Sequence, residues 1–322
     1  MREIPKKTSL AVSFAPSDRI FLCGHRGMVG SAILRALQEN GFSDIILRNR
    51  QELDLLDQTA VDRFFTREHP DGIILAAARV GGIGANTRYP YEFLYENLQI
   101  QNNTIHSALK HGVGKFVFLG SSCVYPRDCP QPMKEEYIMT GPLEPSNEGY
   151  ALAKIAGLRL MQYMRDEYNT TTLSVMPCNL YGPNDTFDRN RSHVMSALVR
   201  KFVDARKSGE NEVILWGTGT ARREFLHVDD FARALMLLIQ RWKSAEIVNI
   251  GCGEDVSIQE LAGMVAKASG YGGKILWDST KPDGMPRKCL DISKLTKIGF
   301  VPEISLHSGI EQLVRLYDES AV

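Results

Sequence analysis

The 322-residue sequence has no CxxC pair, and no histidine stands at metal-ligand spacing from its six cysteines, Cys23, Cys123, Cys129, Cys178, Cys252 and Cys289. A structural zinc site and a disulfide framework are therefore not expected, and a reducing compartment, the cytosol, is. An excess of one charge is also missing, since 38 Lys and Arg stand against 38 Asp and Glu. No net field draws the chain to nucleic acid or to an anionic membrane, so an anionic ligand has to be held by a few local cations. No apolar run approaches the length of a membrane span. Internal repeats and low-complexity tracts are absent. The first eighteen residues, MREIPKKTSLAVSFAPSD, contain neither a long apolar stretch nor a convincing cleavage site, and are expected to form a flexible arm.

What is present is alternation. From Arg19 on, short β-branched runs alternate with amphipathic stretches, the sequence form of βαβ units. Ile20-Phe21-Leu22-Cys23, Asp44 to Leu47, Gly72 to Ala78 and Lys115 to Leu119 read as strands, apolar enough throughout for a parallel sheet covered on both faces. Ser31 to Asn40 reads as a helix stopped by Gly41, and Pro90 to His111 and Glu148 to Tyr168 read as two long ones. In the last, Leu152, Ala156, Leu160 and Tyr163 mark one stripe and Ala151, Ile155, Leu158 and Met161 another, wider than a single core face requires. Either a subunit interface in a homodimer or this chain's own second domain would cover the extra width. After Met176 the pattern turns irregular, with turns at Tyr181-Gly182-Pro183-Asn184-Asp185 and Trp216-Gly217-Thr218-Gly219. A strand at Ile247 to Ile250 follows, then a helix opened by the capping box Ser257-Ile258-Gln259-Glu260. The expected fold is α/β, a doubly wound parallel sheet of Rossmann type with a smaller mixed α/β substrate-binding domain. The sheet domain is expected over 19–178 plus about 225–250, and the smaller domain over about 179–224 plus 251–322, behind an arm of 1–18.

Gly24-His25-Arg26-Gly27-Met28-Val29-Gly30 stands between a strand and a helix, the context that makes a glycine motif informative. Gly24 permits a tight turn, Gly27 lets the backbone approach a pyrophosphate, and Gly30 allows close helix packing with the helix N-terminus facing the phosphates. The spacing is G-x-x-G-x-x-G. At the end of the second strand, where an acidic residue would bind a free ribose hydroxyl, the sequence has Arg48-Asn49-Arg50, and Arg26 stands inside the loop. Guanidinium groups there suit a 2′-phosphate, which predicts NADP(H) over NAD(H).

Tyr150 and Lys154 are spaced i and i+4, on one face of a helix. A free phenol titrates near pH ~10, so a neighbouring ammonium that favours phenolate helps it exchange protons at neutrality. YxxxK alone is more often a surface pair. It gains weight from Ser121 at the end of the fourth strand, whose hydroxyl can share a substrate oxygen with Tyr150. With the glycine loop, these features resemble the extended short-chain dehydrogenase/reductase family over nearly the whole chain.

Longer strings narrow the resemblance: Ala76-Ala77-Ala78-Arg79-Val80-Gly81-Gly82-Ile83, Gly120-Ser121-Ser122-Cys123-Val124-Tyr125-Pro126, Asn179-Leu180-Tyr181-Gly182-Pro183 and Arg223-Glu224-Phe225-Leu226-His227-Val228-Asp229-Asp230. They are similar to the members that epimerise C3 and C5 of GDP-4-keto-6-deoxy-D-mannose and then reduce C4 with NADPH. That resemblance implies a task for Cys123, which hydride transfer alone would not need, in partnership with His193. A ketone at C4 acidifies the protons on C3 and C5, and thiol and imidazole both exchange protons near neutral pH. Which of the two is acid and which base stays open, and the ordinary alternatives are a small core cysteine and a helix-capping histidine. The resemblance also implies catalytic roles for Ser121, Tyr150 and Lys154. It implies cofactor contacts from Met28, Val29, Arg50, Asp54, Leu55, Ala77, Leu119, Gly120, Asn179 and His193, besides the loop glycines, Arg26, Ser121, Tyr150 and Lys154. Substrate contacts are implied for Lys201, Trp216, Arg223 and Asp283, with Lys201 standing where some relatives have arginine and so offering a point charge without the bidentate fork. Asp229 and Asp230 are expected to cap a helix and no metal is expected. The rival activities are those of a 4-epimerase or 4,6-dehydratase that recycles its cofactor, and of a silent NADP(H)-binding protein.

Overall fold

The computed structural model describes residues 11–189 and 191–320. Six strands form one parallel sheet in the order β2-β1-β3-β4-β5-β9: β1 (Ile20–Cys23), β2 (Ile45–Ile46), β3 (Gly72–Leu75), β4 (Lys115–Leu119), β5 (Thr171–Pro177) and β9 (Val248–Ile250). β1 and β3 are buried along their full length, which only a sheet with helices on both faces allows. The helices are α1 (Met28–Glu39), α2 (Gln58–Glu68), α3 (Ile83–Arg88), α4 (Pro90–Lys110), α5 (Glu148–Tyr168) and α7 (Val228–Arg241). Strand order reverses beside β1, which has β2 on one side and β3 on the other. The crevice at the carboxyl ends of the strands at such a reversal is where doubly wound sheets take their ligands.

The irregular stretch after Met176 is organised around β8 (Arg222–His227). It pairs with β6 (Asn179–Tyr181) and β12 (Arg287–Lys288) in parallel and with β10 (Asp255–Ser257) antiparallel, while β7 (Glu212–Trp216) and β11 (Lys274–Asp278) form a separate parallel pair. These strands are short, and their partners lie 31 to 65 residues away, so no local period announces them. The helices α6 (Val194–Ser208), α8 (Ile258–Ala268) and α10 (Leu306–Ser320) enclose a second apolar cluster with Phe202, Val213, Leu261 and Leu313. Met285, Leu290, Leu295 and Phe300, the last two in and just after α9 (Ser293–Lys297), pack with the first cluster, against the large sheet.

Several expectations meet the structure directly. β4, α5 and the Ser257–Glu260 capping box occur as read. α1 begins at Met28, three residues before the expected Ser31, because the glycine loop already forms its first turn. β3 ends at Leu75, so Ala76 to Ala78 form the loop facing the glycines. Of the expected arm, residues 1–10 lie outside the described residues. The rest is corrected: Val12 and Phe14 are buried in the sheet cluster, Phe14 closes against Gly72, and Asp18 pairs with Lys115 at 2.6 Å. Asp229 and Asp230 sit in the first turn of α7 but do not cap it. The His227 side chain accepts the capping N–H, while buried Asp230 accepts the backbone N–H groups of Glu303 and Ile304. In α5, Ala151, Leu158 and Met161 are buried, whereas Leu152, Leu160 and Tyr163 remain 44%, 37% and 56% exposed. The second lobe does not cover that stripe. No helix among the described residues is long and apolar enough to cross a membrane.

Candidate active site

The glycine loop is shaped so that side chains are excluded. Gly24 has φ of +86°, and a Cβ there would lie 2.8 Å from the backbone nitrogen of Ala77; one on Gly30 would lie 2.1 Å from the Gly24 carbonyl oxygen. Gly27 is the N-cap of α1 with no side chain to cap it, and its N–H donates to the Gly24 carbonyl at 3.0 Å. The N–H groups of Met28 and Val29 therefore face outward from a positive helix end, which fits a pyrophosphate. Arg26 is exposed above this loop. Arg50 is 71% exposed and touches Asp54 at 3.4 Å, leaving both guanidinium groups accessible to an added phosphate. Arg48 is different: it pairs with Glu68 at 2.8 Å and lies over the Phe64 ring, beneath the site's rim. Of the three arginines, Arg26 and Arg50 are thus the two left exposed. The Leu55 carbonyl is held by the Asn103 amide at 2.9 Å, which fixes the loop below the crevice.

The end of β4 and the start of α5 bring Ser121, Tyr150 and Lys154 to the crevice. The backbone N–H of Gly120 donates to the Val175 carbonyl at 2.8 Å, and a Cβ at Gly120 would meet the Met176 side chain at 2.2 Å, so this strand end is tightly seated. Ser121 follows as the N-cap of a short 3₁₀ turn, its hydroxyl accepting the Cys123 N–H at 3.1 Å. Burial drives the Tyr150 phenol well above the ordinary tyrosine range, Cys123 adds to the rise, and a hydrogen bond with Ser121 opposes it. Lys154 lies 4% exposed, donates to the Leu119 carbonyl at 2.8 Å, and sits 5.8 Å from the Tyr150 ring centre. Burial pulls its ammonium down to about 8. Ser121, Tyr150 and Lys154 are therefore brought together as the sequence pattern requires. Asn179, on β6, donates its amide to the Glu224 carbonyl at 2.9 Å and helps join the two lobes at the crevice.

Cys123 is half-buried against three elements. Its sulfur lies 3.1 Å from the Asn147 amide nitrogen and 3.3 Å from the Lys288 ammonium. Burial acts to raise the thiol, but Lys288, the Ser121 hydrogen bond and Arg223 outweigh it and bring it below the ordinary thiol value. Asn147 is the N-cap of α5, yet its side chain makes no capping bond and serves the sulfur instead. His193 is the N-cap of α6 and likewise makes no side-chain capping bond, so the role of a simple cap does not account for it. Burial lowers the imidazole, Asp185 opposes that, and Lys288 adds to it. The Asp185 carboxylate itself is held by the Ser196 hydroxyl and the Thr186 N–H. One ammonium, Lys288, therefore acts on both Cys123 and His193.

The sequence reading missed Asn147, Asp185 and Lys288. Asn147 could have been noticed as a capping residue just before the YxxxK helix. Lys288 has no local signal, because it reaches the site only through the parallel register that sets it beside Arg223.

On the outer side, Arg223 donates to the Arg222 and Asp283 carbonyls at 2.8 and 3.2 Å. Both Asp283 carboxylate oxygens accept from Thr218, at 2.8 Å from its N–H and 2.9 Å from its hydroxyl. The Asp283 side chain thus braces the Gly217–Gly219 turn in this structure, rather than standing open to a ligand. Lys201 donates to the Ile214 carbonyl at 2.9 Å, and burial lowers its ammonium. Trp216 is 57% exposed, with the Lys281 ammonium 5.9 Å from its ring centre. An exposed indole beside cations suits stacking with a nucleotide base.

A family model described as the NAD dependent epimerase/dehydratase family matches residues 20–251. The chain is 52% identical over 301 residues to GDP-L-fucose synthase 1 of Arabidopsis thaliana, covering 94% of this chain and 93% of that protein. Among solved structures, it is similar to a GDP-6-OMe-4-keto-L-xylo-heptose reductase from C. jejuni, with a TM-score of 0.89 and 33% identity over 96% of this chain and 99% of that one. It is also similar to a GDP-L-fucose synthetase from Naegleria fowleri bound to NADP, with a TM-score of 0.87 and 25% identity over 98% of each chain. With its glycine cradle, its Ser121–Tyr150–Lys154 centre and this agreement over nearly its full length, the chain belongs to the NAD dependent epimerase/dehydratase family, the extended short-chain dehydrogenases/reductases.

Proposed function

We propose that this protein converts GDP-4-keto-6-deoxy-D-mannose to GDP-L-fucose, inverting C3 and C5 and then reducing the C4 ketone with NADPH. The observation that carries the reading is Cys123, a thiol biased toward ionisation by Lys288 and placed beside the Ser121–Tyr150 pair. A reductase alone has no use for it. The relatives named above as GDP-L-fucose synthase and synthetase support the substrate and the cofactor.

Gly24, Gly27, Gly30 and the α1 N–H groups of Met28 and Val29 would hold the pyrophosphate of NADPH, and Arg26 and Arg50 its 2′-phosphate, and the cofactor would supply the hydride. Ala77, Leu119 and Gly120 are proposed to line the floor of the cofactor site, with Asp54 and Leu55 beyond the arginines. Arg223, Lys201 and Trp216 bind the GDP portion, and Asp283 acts by fixing the loop beside Trp216. In the first stage Cys123 and His193 remove and return protons at C3 and C5, on opposite faces of the sugar. In the second, Ser121 orients the C4 oxygen, Tyr150 protonates it, and Lys154 favours the resulting phenolate. The sheet lobe thus carries the dinucleotide, and the lobe around β8 and α6 carries the sugar nucleotide.

Incubation of the protein with GDP-4-keto-6-deoxymannose and NADPH in deuterated water tests this directly. The expected product is GDP-L-fucose with deuterium at C3 and C5, formed with one NADPH oxidised per molecule. A C4-reduced product without that deuterium identifies a plain reductase, and product without net NADPH oxidation identifies a 4-epimerase or dehydratase. The same assay with NADH weighs Arg26 and Arg50: equal rates with both cofactors contradict their assignment.

The enzyme is proposed to act as a homodimer in the cytosol. Its six unpaired cysteines support a reducing compartment. The dimer reading rests on Leu152, Leu160 and Tyr163 of α5 and the stacked, exposed Tyr91 and Tyr95 of α4, an apolar surface that a two-fold related copy would bury. Sedimentation equilibrium is expected to give a dimer mass, and Leu152→Glu, which puts charge in that contact, a monomer; a monomeric native protein overturns the dimer.

A further inference from the structure

Cys123 has neighbours that a small core cysteine would not need. Its sulfur is approached by Lys288 from β12, Arg223 from β8 and Tyr150 from α5, and by the uncharged donors Ser121 and Asn147. Arg223 itself faces Glu144 and Asp283, and its nearest hydrogen bonds go to backbone carbonyls. Across the site stand His193 and, behind it, Asp185. Among all these, Lys288 makes the one direct contact between a charged side chain and the sulfur, at 3.3 Å.

Lys288 is 9% exposed, and among the described residues no carboxylate forms an ion pair with it. Its neighbours in sequence show that such pairing is available nearby: Arg287 pairs with Asp255 at 2.6 Å. A buried ammonium without a counter-ion is costly, and a thiolate is the partner that relieves it. The strand that carries Lys288 is also deliberately fixed. Glu224, 1% exposed, accepts the Leu290 N–H at 2.9 Å and the Gly253 N–H at 2.6 Å, tying the chain just past Lys288 to the centre of the second sheet. The β12–β8 register then sets Lys288 beside Arg223.

We propose that Lys288 is a positioning residue that holds Cys123 as a thiolate and aims it for proton transfer at the carbons beside the ketone. This rests on the epimerase reading of Cys123 given above and deepens it. In the step it serves, the C–H bond next to the C4 carbonyl breaks, the proton passes to sulfur and the electron pair to the carbonyl oxygen as an enolate. A proton delivered from the opposite face re-forms the C–H bond as the enolate collapses to the ketone. The thiol then returns its proton to solvent, and no oxidant or reductant is consumed. Lys288 touches neither the sugar nor the reacting proton. Its charge also opposes protonation of His193, so the two exchanging groups are biased together by one side chain.

The test is the pH dependence of iodoacetamide alkylation at Cys123 in the full-length protein without substrate, read by peptide mass spectrometry so that the other cysteines do not contribute. In the native protein the midpoint is expected below the ~8.5 of a free thiol; a midpoint at or above that value overturns the proposal without any variant. In Lys288→Met the midpoint is expected to rise, and alkylation at pH 7 to slow by about tenfold for each unit of that rise. Lys288→Arg is expected to restore most of the native midpoint. Lys288→Gln replaces the methionine variant if the latter no longer binds NADPH. An unchanged midpoint in either uncharged variant overturns the role of Lys288. A raised midpoint with native deuterium exchange at C3 and C5 upholds the hold of Lys288 on the thiol and overturns the epimerase reading of Cys123 instead.

Discussion

Tyr150→Phe is expected to slow NADPH oxidation with the 4-keto sugar by about 10²–10⁴-fold, the range lost when a positioned acid is removed, while solvent deuterium still enters at C3 and C5. The split follows from where the two chemistries sit. In the proposed mechanism Tyr150 gives its proton to the C4 oxygen, and burial keeps the phenol protonated across the neutral range, so the resting enzyme would hold that proton. The phenolate that remains needs a nearby positive charge, and Lys154 supplies it from 5.8 Å above the ring. Lys154 has its ammonium pulled down to about 8 by burial, so it is charged below that pH and loses its charge as pH rises through it. The alkaline limb of kcat/KM for reduction is therefore expected near 8, well below the ordinary lysine value of ~10.4. Stopped-flow absorbance at the NADPH band gives the reduction rate, and NMR of recovered substrate gives the exchange. A phenylalanine variant that reduces at the native rate removes Tyr150 from the mechanism.

How far the sequence discloses this site depends on whether a residue's neighbours are local. The glycine loop, the Tyr150–Lys154 pair and Ser121 are legible because each depends on one strand end or one helical turn. β4 and α5 have the lengths read from their apolar period for the same reason. The arginines are half legible: position alone cannot tell that Arg48 turns to Glu68 while Arg50 stays exposed, since that choice rests on a carboxylate twenty residues away. Lys288 is not legible at all. It stands 165 residues beyond Cys123 and arrives by way of β12, a two-residue strand with no hydrophobic alternation to mark it. Asp283 fails in the opposite direction, for its turn-rich surroundings fit either a ligand contact or a structural brace, and only the two Thr218 hydrogen bonds distinguish them. The arm is misread because the apolar stretch around Val12 and Phe14 is too short to announce an element, and its burial depends on the sheet it meets.

Cys123→Ser is expected to lower deuterium incorporation at C3 and C5 by at least about 10²-fold while leaving NADPH binding intact. The substitution changes one atom and little volume, so the fold and the Ser121–Tyr150 geometry have no reason to move. What changes is acidity. The sulfur is biased toward the thiolate by an ammonium 3.3 Å away and an amide donor at 3.1 Å, whereas an alkoxide, far more basic, is not maintained by the same neighbours. The serine hydroxyl can still accept hydrogen bonds from Lys288 and Asn147, so the variant loses the exchangeable proton acceptor without opening a cavity. Offered the ketone already inverted at C3 and C5, it is expected to reduce C4 close to the native rate, since Tyr150, Ser121 and Lys154 remain in place. A simultaneous loss of exchange and of reduction on that second substrate would instead make Cys123 a structural support of the Tyr150 site. Full exchange in the serine variant would return Cys123 to the status of an ordinary half-buried thiol, and with it the distinction between this protein and a simple ketone reductase would disappear.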